Sequence, residues 1–343
     1  DYLFGEDASN KFFAYLPSMI PNKDLGWEIS RTANFGVDFG LWNNRISGYI
    51  EGYITKTSDL LMERTLPFFT GFSKVWQNIG KTENKGIELN IQANTLKTKS
   101  FSWETTVTFA RNWNKITELL GGGDIRNNSW FIGKPLQVHY NYEMIGVWQL
   151  GEEKEAQKYG AIPGDIKVKD QNNDGSIGEL DKVILGQKDP KIIASLLNSF
   201  RFGAFDASIN LNMNFGSLIH PNTYASLITR DGLRWMPSNF KYWTPDNPTN
   251  EYTRADKLSG YDPFAGTGGY MKGDYIKIQD ITLGYDFSKI MPKNWKILRA
   301  RLYAQVRNLG YIYKACKNDV SPEAPDFDYN IPTTYTMGIN IDF

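Results

Sequence analysis

The sequence predicts an all-β fold, an antiparallel β-barrel that crosses a membrane. Three observations predict it. Long segments alternate apolar and polar residues, the polar members are charged or amide-bearing, and short and very long connections alternate along the chain. A period of two places successive side chains on opposite faces of a strand. Runs of roughly nine to fifteen residues suit a tilted strand crossing a bilayer, whereas strands of soluble proteins usually have about five or six.

The first such run is 27–41, where Trp27, Ile29, Ala33, Phe35, Val37, Phe39 and Leu41 oppose Glu28, Ser30, Thr32, Asn34, Gly36, Asp38 and Gly40. Trp42-Asn43-Asn44-Arg45 then reads as a tight turn, since Asn tolerates the positive φ such turns need. A strand over 45–55 follows, and in 86–95 Ile87, Leu89, Ile91 and Ala93 face away from Glu88, Asn90, Gln92 and Asn94. Strands over 101–113, 192–201 and 204–216 come next, the last with Phe205, Ile209, Leu211 and Met213 opposing Asp206, Asn210 and Asn212. Segments 274–288 and 297–309 follow, Leu298, Ala300, Leu302, Ala304 and Val306 opposing Arg299, Arg301, Tyr303, Gln305 and Arg307. The final run, 333–343, alternates to a terminal Phe343.

The connections 56–82, 114–191, 217–272 and 310–332 are long, and the others short. Outer-membrane barrels have short periplasmic turns and long external loops, which orients the chain. The count is about nine strands. Bacterial single-chain barrels have an even number, and residues 1–16 are too short and irregular to supply an ascending partner securely. The expected architecture is therefore the C-terminal part of a larger barrel, the alternative being a complete ten-strand one.

Composition sets further bounds. Basic and acidic residues balance at 38 each, which argues for no nucleic-acid partner. Aromatics at 14% suit membrane-interface girdles, and no apolar stretch is long enough for a spanning helix. The single Cys316 forbids an internal disulfide. His139 and His220 lie far apart in sequence, without the carboxylate spacing of a zinc site or triad. The chain lacks an initiating Met and a signal peptide, as a processed or partial chain would.

Several segments in order resemble the SusC-like branch of TonB-dependent outer-membrane transporters. They are Asn78-Ile-Gly-Lys-Thr-Glu-Asn-Lys-Gly-Ile-Glu-Leu89, Gly133-Lys-Pro-Leu136 with Ile145-Gly-Val-Trp-Gln149, and Pro163-Gly-Asp-Ile-Lys-Val-Lys-Asp-Gln-Asn-Asn-Asp-Gly175. Tyr242-Trp-Thr-Pro-Asp-Asn-Pro248, Tyr275-Ile-Lys-Ile-Gln-Asp-Ile-Thr-Leu-Gly-Tyr285 and the closing strand complete the set. The resemblance implies a 22-strand barrel with an N-terminal plug, a SusD-like lipoprotein lid, and energy supplied through TonB. The plug and the TonB-contacting box have no counterpart in this chain.

One segment carries its own chemistry. Asp170, Asn172, Asp174, Ser176 and Asp181 fall at positions 1, 3, 5, 7 and 12 of a calcium loop, with Gly175 at position 6. Asp at position 12 reaches less readily than Glu as a bidentate ligand. The alternative is an Asx-rich turn without an ion. In the other long connections Trp130, Trp235, Tyr242, Trp243 and Tyr252 could stack on sugar rings or grip peptide side chains, or else stabilise the loops and a partner interface. Gly121-Gly-Gly123 reads as a flexible loop tip. Arg31 and Arg111 fall in outward phase near the external strand ends, where they either meet lipid phosphates or mark a slip of phase.

The function these features support is non-enzymatic nutrient import, of oligosaccharides or alternatively oligopeptides, through a lumen lined by Asp38, Glu51, Glu88, Glu104, Asp206, Arg299, Arg301 and Arg307. A secreted β-sandwich that binds or hydrolyses glycans is the competing class. It would need a local carboxylate pair or triad, and none stands out.

Overall fold

The computed structural model describes residues 20–229, 240–254, 264, 266–288, 290–292, 297–317, 320–326 and 331–342, and the backbone of 2–7 and 10–15. Two short strands, β1 (Tyr2–Asp7) and β2 (Asn10–Tyr15), pair with each other in a sheet of their own. They supply no partner to the strands that follow.

The principal sheet has nine strands: β3 (Ile29–Leu41), β4 (Ile46–Thr65), β5 (Lys74–Lys97), β6 (Phe101–Leu119), β11 (Ile192–Phe202), β12 (Phe205–Phe215), β15 (Tyr275–Asp286), β16 (Arg299–Lys314) and β17 (Thr334–Asp342). Every sheet neighbour is the preceding or following one of these nine, from β3 at one edge to β17 at the other. The pairings with printed register are all antiparallel. This is the expected strand count and order. Phe343 lies outside the described residues.

The ends differ from expectation. Residues 56–65 and 74–82 continue β4 and β5, so the first long connection is a hairpin closed by a short helical turn at Phe68–Thr70. Likewise β6 runs on to Leu119 and β16 to Lys314. The sequence hid these extensions because the alternation breaks where single residues bulge. Asp59 has φ of 56°, and the β15–β16 pairing shifts register twice.

The remaining elements lie in the long connections. They are β7 (Val138–Tyr142), β8 (Met144–Val147), β9 (Ile166–Val168), β10 (Lys182–Gln187), β13 (Leu218–Ile219) and β14 (Met271–Lys272), with helices α1 (Glu153–Lys158) and α2 (Asn222–Thr229). They pair as β7–β10, β8–β9 and β13–β14. No helix among the described residues is long and apolar enough to cross a membrane.

The tight turn appears as expected, with positive φ at Trp42, Asn43 and Asn44 and the Arg45 amide donating to the Trp42 carbonyl (3.2 Å). At the β11–β12 hairpin Phe202 pairs with Phe205 around Gly203, whose φ is 61°.

Register carries the two faces across strands. Phe200, Ala207, Leu283, Ala304 and Met337 form one cross-sheet row, and the next row holds Ser199, Ser208, Thr282, Gln305 and Thr336. In β15 the alternation breaks at Gln279, which is bulged against Asn210 and Leu211 of β12. The extra residue returns Ile281, Leu283 and Tyr285 to the face of Ile276 and Ile278. The apolar face is not covered: no residue of β11, β12 or β17 is buried, and Phe205, Leu283, Met337 and Ile339 are mostly exposed. A soluble sandwich would bury that face against a second sheet, so the sandwich alternative is set aside.

Chain contacts separate two compact units. The first comprises Asp1–Phe35, Gly52–Gly86 and Asn112–Gln137. Its core is Met62, Ile79, Ile116 and Leu119, with Trp130 and Leu136 packed on it. The second comprises Gly36–Glu51, Ile87–Arg111 and Val138–Phe343, and its core gathers Tyr224, Cys316 and Val320.

In a lipid environment Leu211→Arg, on the apolar face, should cost about 2–4 kcal/mol near mid-bilayer, and Asn210→Arg much less. Urea titration of both variants in lipid vesicles would check this. Equal costs would contradict the assignment of faces.

Candidate functional site

The polar face is the first part of the site. Toward the short-turn ends, Glu104, Arg201, Asp206, Arg299 and Arg301 line an open basin of about 490 Å³ with Ser199, Ser208 and Asn340. Arg301 Nε donates to Asp206 Oδ1 at 2.8 Å, and its Nη2 reaches Oδ2 of the same carboxylate. These two residues belong to β16 and β12, with β15 between them. The strand they cross is Gly284, where a Cβ would lie 2.6 Å from both Arg301 Nε and Asp206 Oδ1. Only a residue without a side chain lets this fork close. One strand further, Tyr303 lies across Gly338, whose added Cβ would meet the Tyr303 hydroxyl at 2.6 Å.

Farther along, the wall is built of amides. Asn210 donates to Asp280 (3.2 Å), Asn212 to the bulged Gln279 (3.3 Å) and Asn214 to the Tyr275 hydroxyl (3.4 Å). Lys277 is buried and donates to Glu323 at 2.6 Å, and Tyr311 donates to the same carboxylate at 2.8 Å. Glu323 comes from the connection between β16 and β17, so this contact ties that segment to the polar face.

The second part is the layer formed by the long connections. Tyr224, Cys316 and Val320 pack with Ile219, Phe240, Tyr252 and Met271, joining segments far apart in sequence. Here three of the predicted aromatics pack within the layer, Trp243 buried and Tyr242 and Tyr252 half-buried. Trp243 is buried and its indole donates to Gln149 (2.8 Å). Tyr242 and Tyr252 meet edge to face and both pack on Phe240. Trp130, in the first unit, packs on that unit's own core. Trp235 lies outside the described residues. Each of the four described rings has packing partners within the chain. Their rings hold the loops together.

The two histidines, distant in sequence, converge on Tyr270. His220 stacks on that ring at 4.1 Å, and His139 meets it edge-on at 5.2 Å. His139 Nε2 donates to the Leu218 carbonyl (2.9 Å). No local spacing signals this pairing, because only the folding of β7 and β13 brings the residues together. Burial pushes the His139 imidazole down to about 4, and the positive charges of Lys188 and His220 act in the same direction.

The loop at 170–181 folds on itself. Asp170 accepts from the amides of Asn173 (2.7 Å) and Gly175 (2.9 Å), and Asp174 from the Ser176 amide (2.8 Å) and hydroxyl (2.7 Å). Asn172 donates to Asp174 at 2.8 Å. Asp181 is buried and accepts from the amides of Gln171 (2.8 Å) and Gly178 (2.7 Å), closing the loop end to end. No metal-competent group of three His, Cys, Asp or Glu occurs among the described residues. A calcium site here would draw on Asn172, Ser176 and backbone carbonyls beside the carboxylates.

Comparison with known proteins places this geometry. Residues 4–309 match a family model described as TonB dependent receptor-like, beta-barrel. TonB-dependent receptor P26 of Formosa agariphila is 27% identical over 359 residues, covering 94% of this chain and 35% of that protein. TonB-dependent receptor SusC of Bacteroides thetaiotaomicron is 28% identical, covering 94% of this chain and 32% of the relative. Among solved structures, the RagAB peptide transporter superposes with a TM-score of 0.76 at 20% identity, over 100% of this chain and 38% of that one. The chain thus spans about a third of the length of these relatives.

Two outcomes follow for the loop layer. His139 is held neutral, so the unfolded loop takes up a proton first as pH falls. The layer should keep its full stability above about pH 6.5 and lose it progressively toward pH 4. Protection factors for amide exchange across 138–142, taken relative to the intrinsic rate at each pH, should fall over that window, and His139→Phe should flatten the change. If calcium binds the 170–181 loop, adding it should protect residues 151–190 from protease. Asp170→Ala with Asp174→Ala should abolish the protection without unfolding the sheet, and a chelator without effect on the parent would identify a simple turn.

Proposed function

This chain belongs to the TonB-dependent receptor β-barrel family of outer-membrane proteins, and from that premise we propose that it forms wall and external loops of a SusC-type nutrient importer. The observation that carries the reading is the pairing of an uncovered apolar face with a face of charges, amides and hydroxyls. The first suits lipid, the second a water-filled lumen. In this reading the short turns are periplasmic and the loop layer extracellular. The family is a receptor and transporter class, so the polar face acts by binding and positioning rather than by catalysis.

Oligosaccharide is the cargo we favour, because Asn210, Asn212 and Asn214 with their hydroxyl neighbours offer the alternating donors and acceptors that sugar hydroxyls need. Oligopeptide is the second reading. It is favoured by the mixed charges of Glu104, Arg201 and Arg299 in the basin, which match zwitterionic chains. Binding of labelled oligosaccharides against labelled peptides to the purified transporter separates the two.

The proposed partners are a SusD-like surface lipoprotein acting as a lid, and the TonB complex acting through a plug. A lid needs a surface that is folded yet incompletely satisfied. The loop layer supplies it with Ile145, Leu150, Ile162 and Leu180, whose apolar side chains are 48–70% exposed beside the 170–181 loop. We assign calcium in that loop, if bound, the structural task of stiffening this surface.

Gentle detergent purification should recover the importer together with its lid. Leu150→Glu combined with Leu180→Glu should weaken that association about tenfold or more, corresponding to roughly 1.4 kcal/mol. Heat-modifiable migration on gels should persist in the variant. Recovery of the importer alone, with the partner abundant and intact, would overturn the lid.

A further inference from the structure

The apolar face changes character toward the long-connection ends of β3–β6. Ser30 and Thr57 hydroxyls meet at 2.9 Å, as do those of Thr32 and Thr55, on the polar face. That register sets Arg31 directly opposite Lys56 on the other face. Across from Lys56, Glu83 draws three ammonium groups, with Lys85 and Lys115 at 3.2 Å and Lys56 at 3.9 Å. The carboxylate is 12% exposed, whereas Lys56, Lys85 and Lys115 are 72%, 50% and 48% exposed. Arg31 has no carboxylate partner among the described residues. Three lysines therefore share one acid, Arg31 stands beside them opposite Lys56, and the excess positive charge points away from the polar face.

Their depth is informative. The Thr95–Thr105 hydroxyl contact (3.2 Å) sets odd-numbered residues of β5 and β6 on one face. Along β5 that face runs Ile91, Leu89, Ile87, then Lys85 and Glu83. Along β6 Val107 and Phe109 are followed by Arg111, Trp113 and Lys115. An apolar band about 25 Å tall takes roughly ten residues of tilted strand. Lys85 and Lys115 lie beyond that span from Lys97 and Phe101 at the short-turn ends, with Trp113 in the girdle position just beneath Lys115.

We propose that Arg31, Lys56, Lys85 and Lys115 bind the phosphate of an outer-leaflet glycolipid, whose acyl chains lie on the apolar face below. Lysine ammoniums and the arginine fork are suited to phosphate oxygens, and Glu83 holds the lysines close without neutralising them. This rests on the bilayer-crossing reading of the sheet.

The test uses the full-length protein that carries this chain, purified in mild detergent. Native mass spectrometry would compare retention of lipid A bearing its phosphates with lipid A stripped of them, on the parent and on a variant combining Arg31→Gln, Lys56→Gln, Lys85→Gln and Lys115→Gln. The phosphorylated lipid should be retained at least tenfold better by the parent, with the preference lost in the variant, weakened by salt and kept in Lys99→Gln. Equal retention of the two lipids by the parent would overturn the site, whatever the variant does. So would displacement by millimolar inorganic phosphate, which would mark a free-anion site. Absence of heat-modifiable migration in the parent would instead overturn the bilayer-crossing reading itself.

Discussion

Phase along the strand is the constraint on which the rest of the structure depends. With lipid on one side and water on the other, a strand displaced by a single residue would present every side chain to the wrong solvent. No buried layer could hide the error. The sheet is kept in phase locally, and the devices can be named. Gln279 bulges out of β15 so that Ile281, Leu283 and Tyr285 return to the face of Ile276 and Ile278. The freed amide is not wasted, since it accepts from Asn212 on the polar side.

The same constraint explains what was legible in the sequence. Strands that must alternate without interruption, such as Phe205–Phe215 and Ile192–Phe202, announce themselves, and the nine strands and their order were readable. Beyond the expected bilayer span the strict alternation lapses. The outer ends of β4, β5, β6 and β16 therefore looked like loop, although backbone pairing continues there. Gln279 had a visible signal, two polar residues between Ile278 and Ile281 where one was due. The convergence of His139, His220 and Tyr270 had none, because it depends on β7 and β13 folding against one another.

The loop layer follows another logic. Its aromatics are placed as a small protein places its core, around Phe240, Tyr252 and Tyr224, and tied down by Cys316 and Val320 from the last long connection. Sequence alone cannot separate an aromatic that binds cargo from one that holds a loop, since both call for large flat apolar surface. Burial decides. The inward placement of Trp243 assigns cohesion to that ring, whereas Leu150 and Leu180 stay exposed.

The fork from Arg301 to Asp206 has a mechanical meaning. Backbone bonds join each strand to its immediate neighbours and yield one at a time when a wall is peeled. A side chain that leaps over Gly284 joins second neighbours, so parting β15 from β16 on that line must also break a charged clasp anchored beyond it. Glycine here works as a notch cut for a brace. A wall reinforced in this way keeps its outline when load falls on a single strand seam.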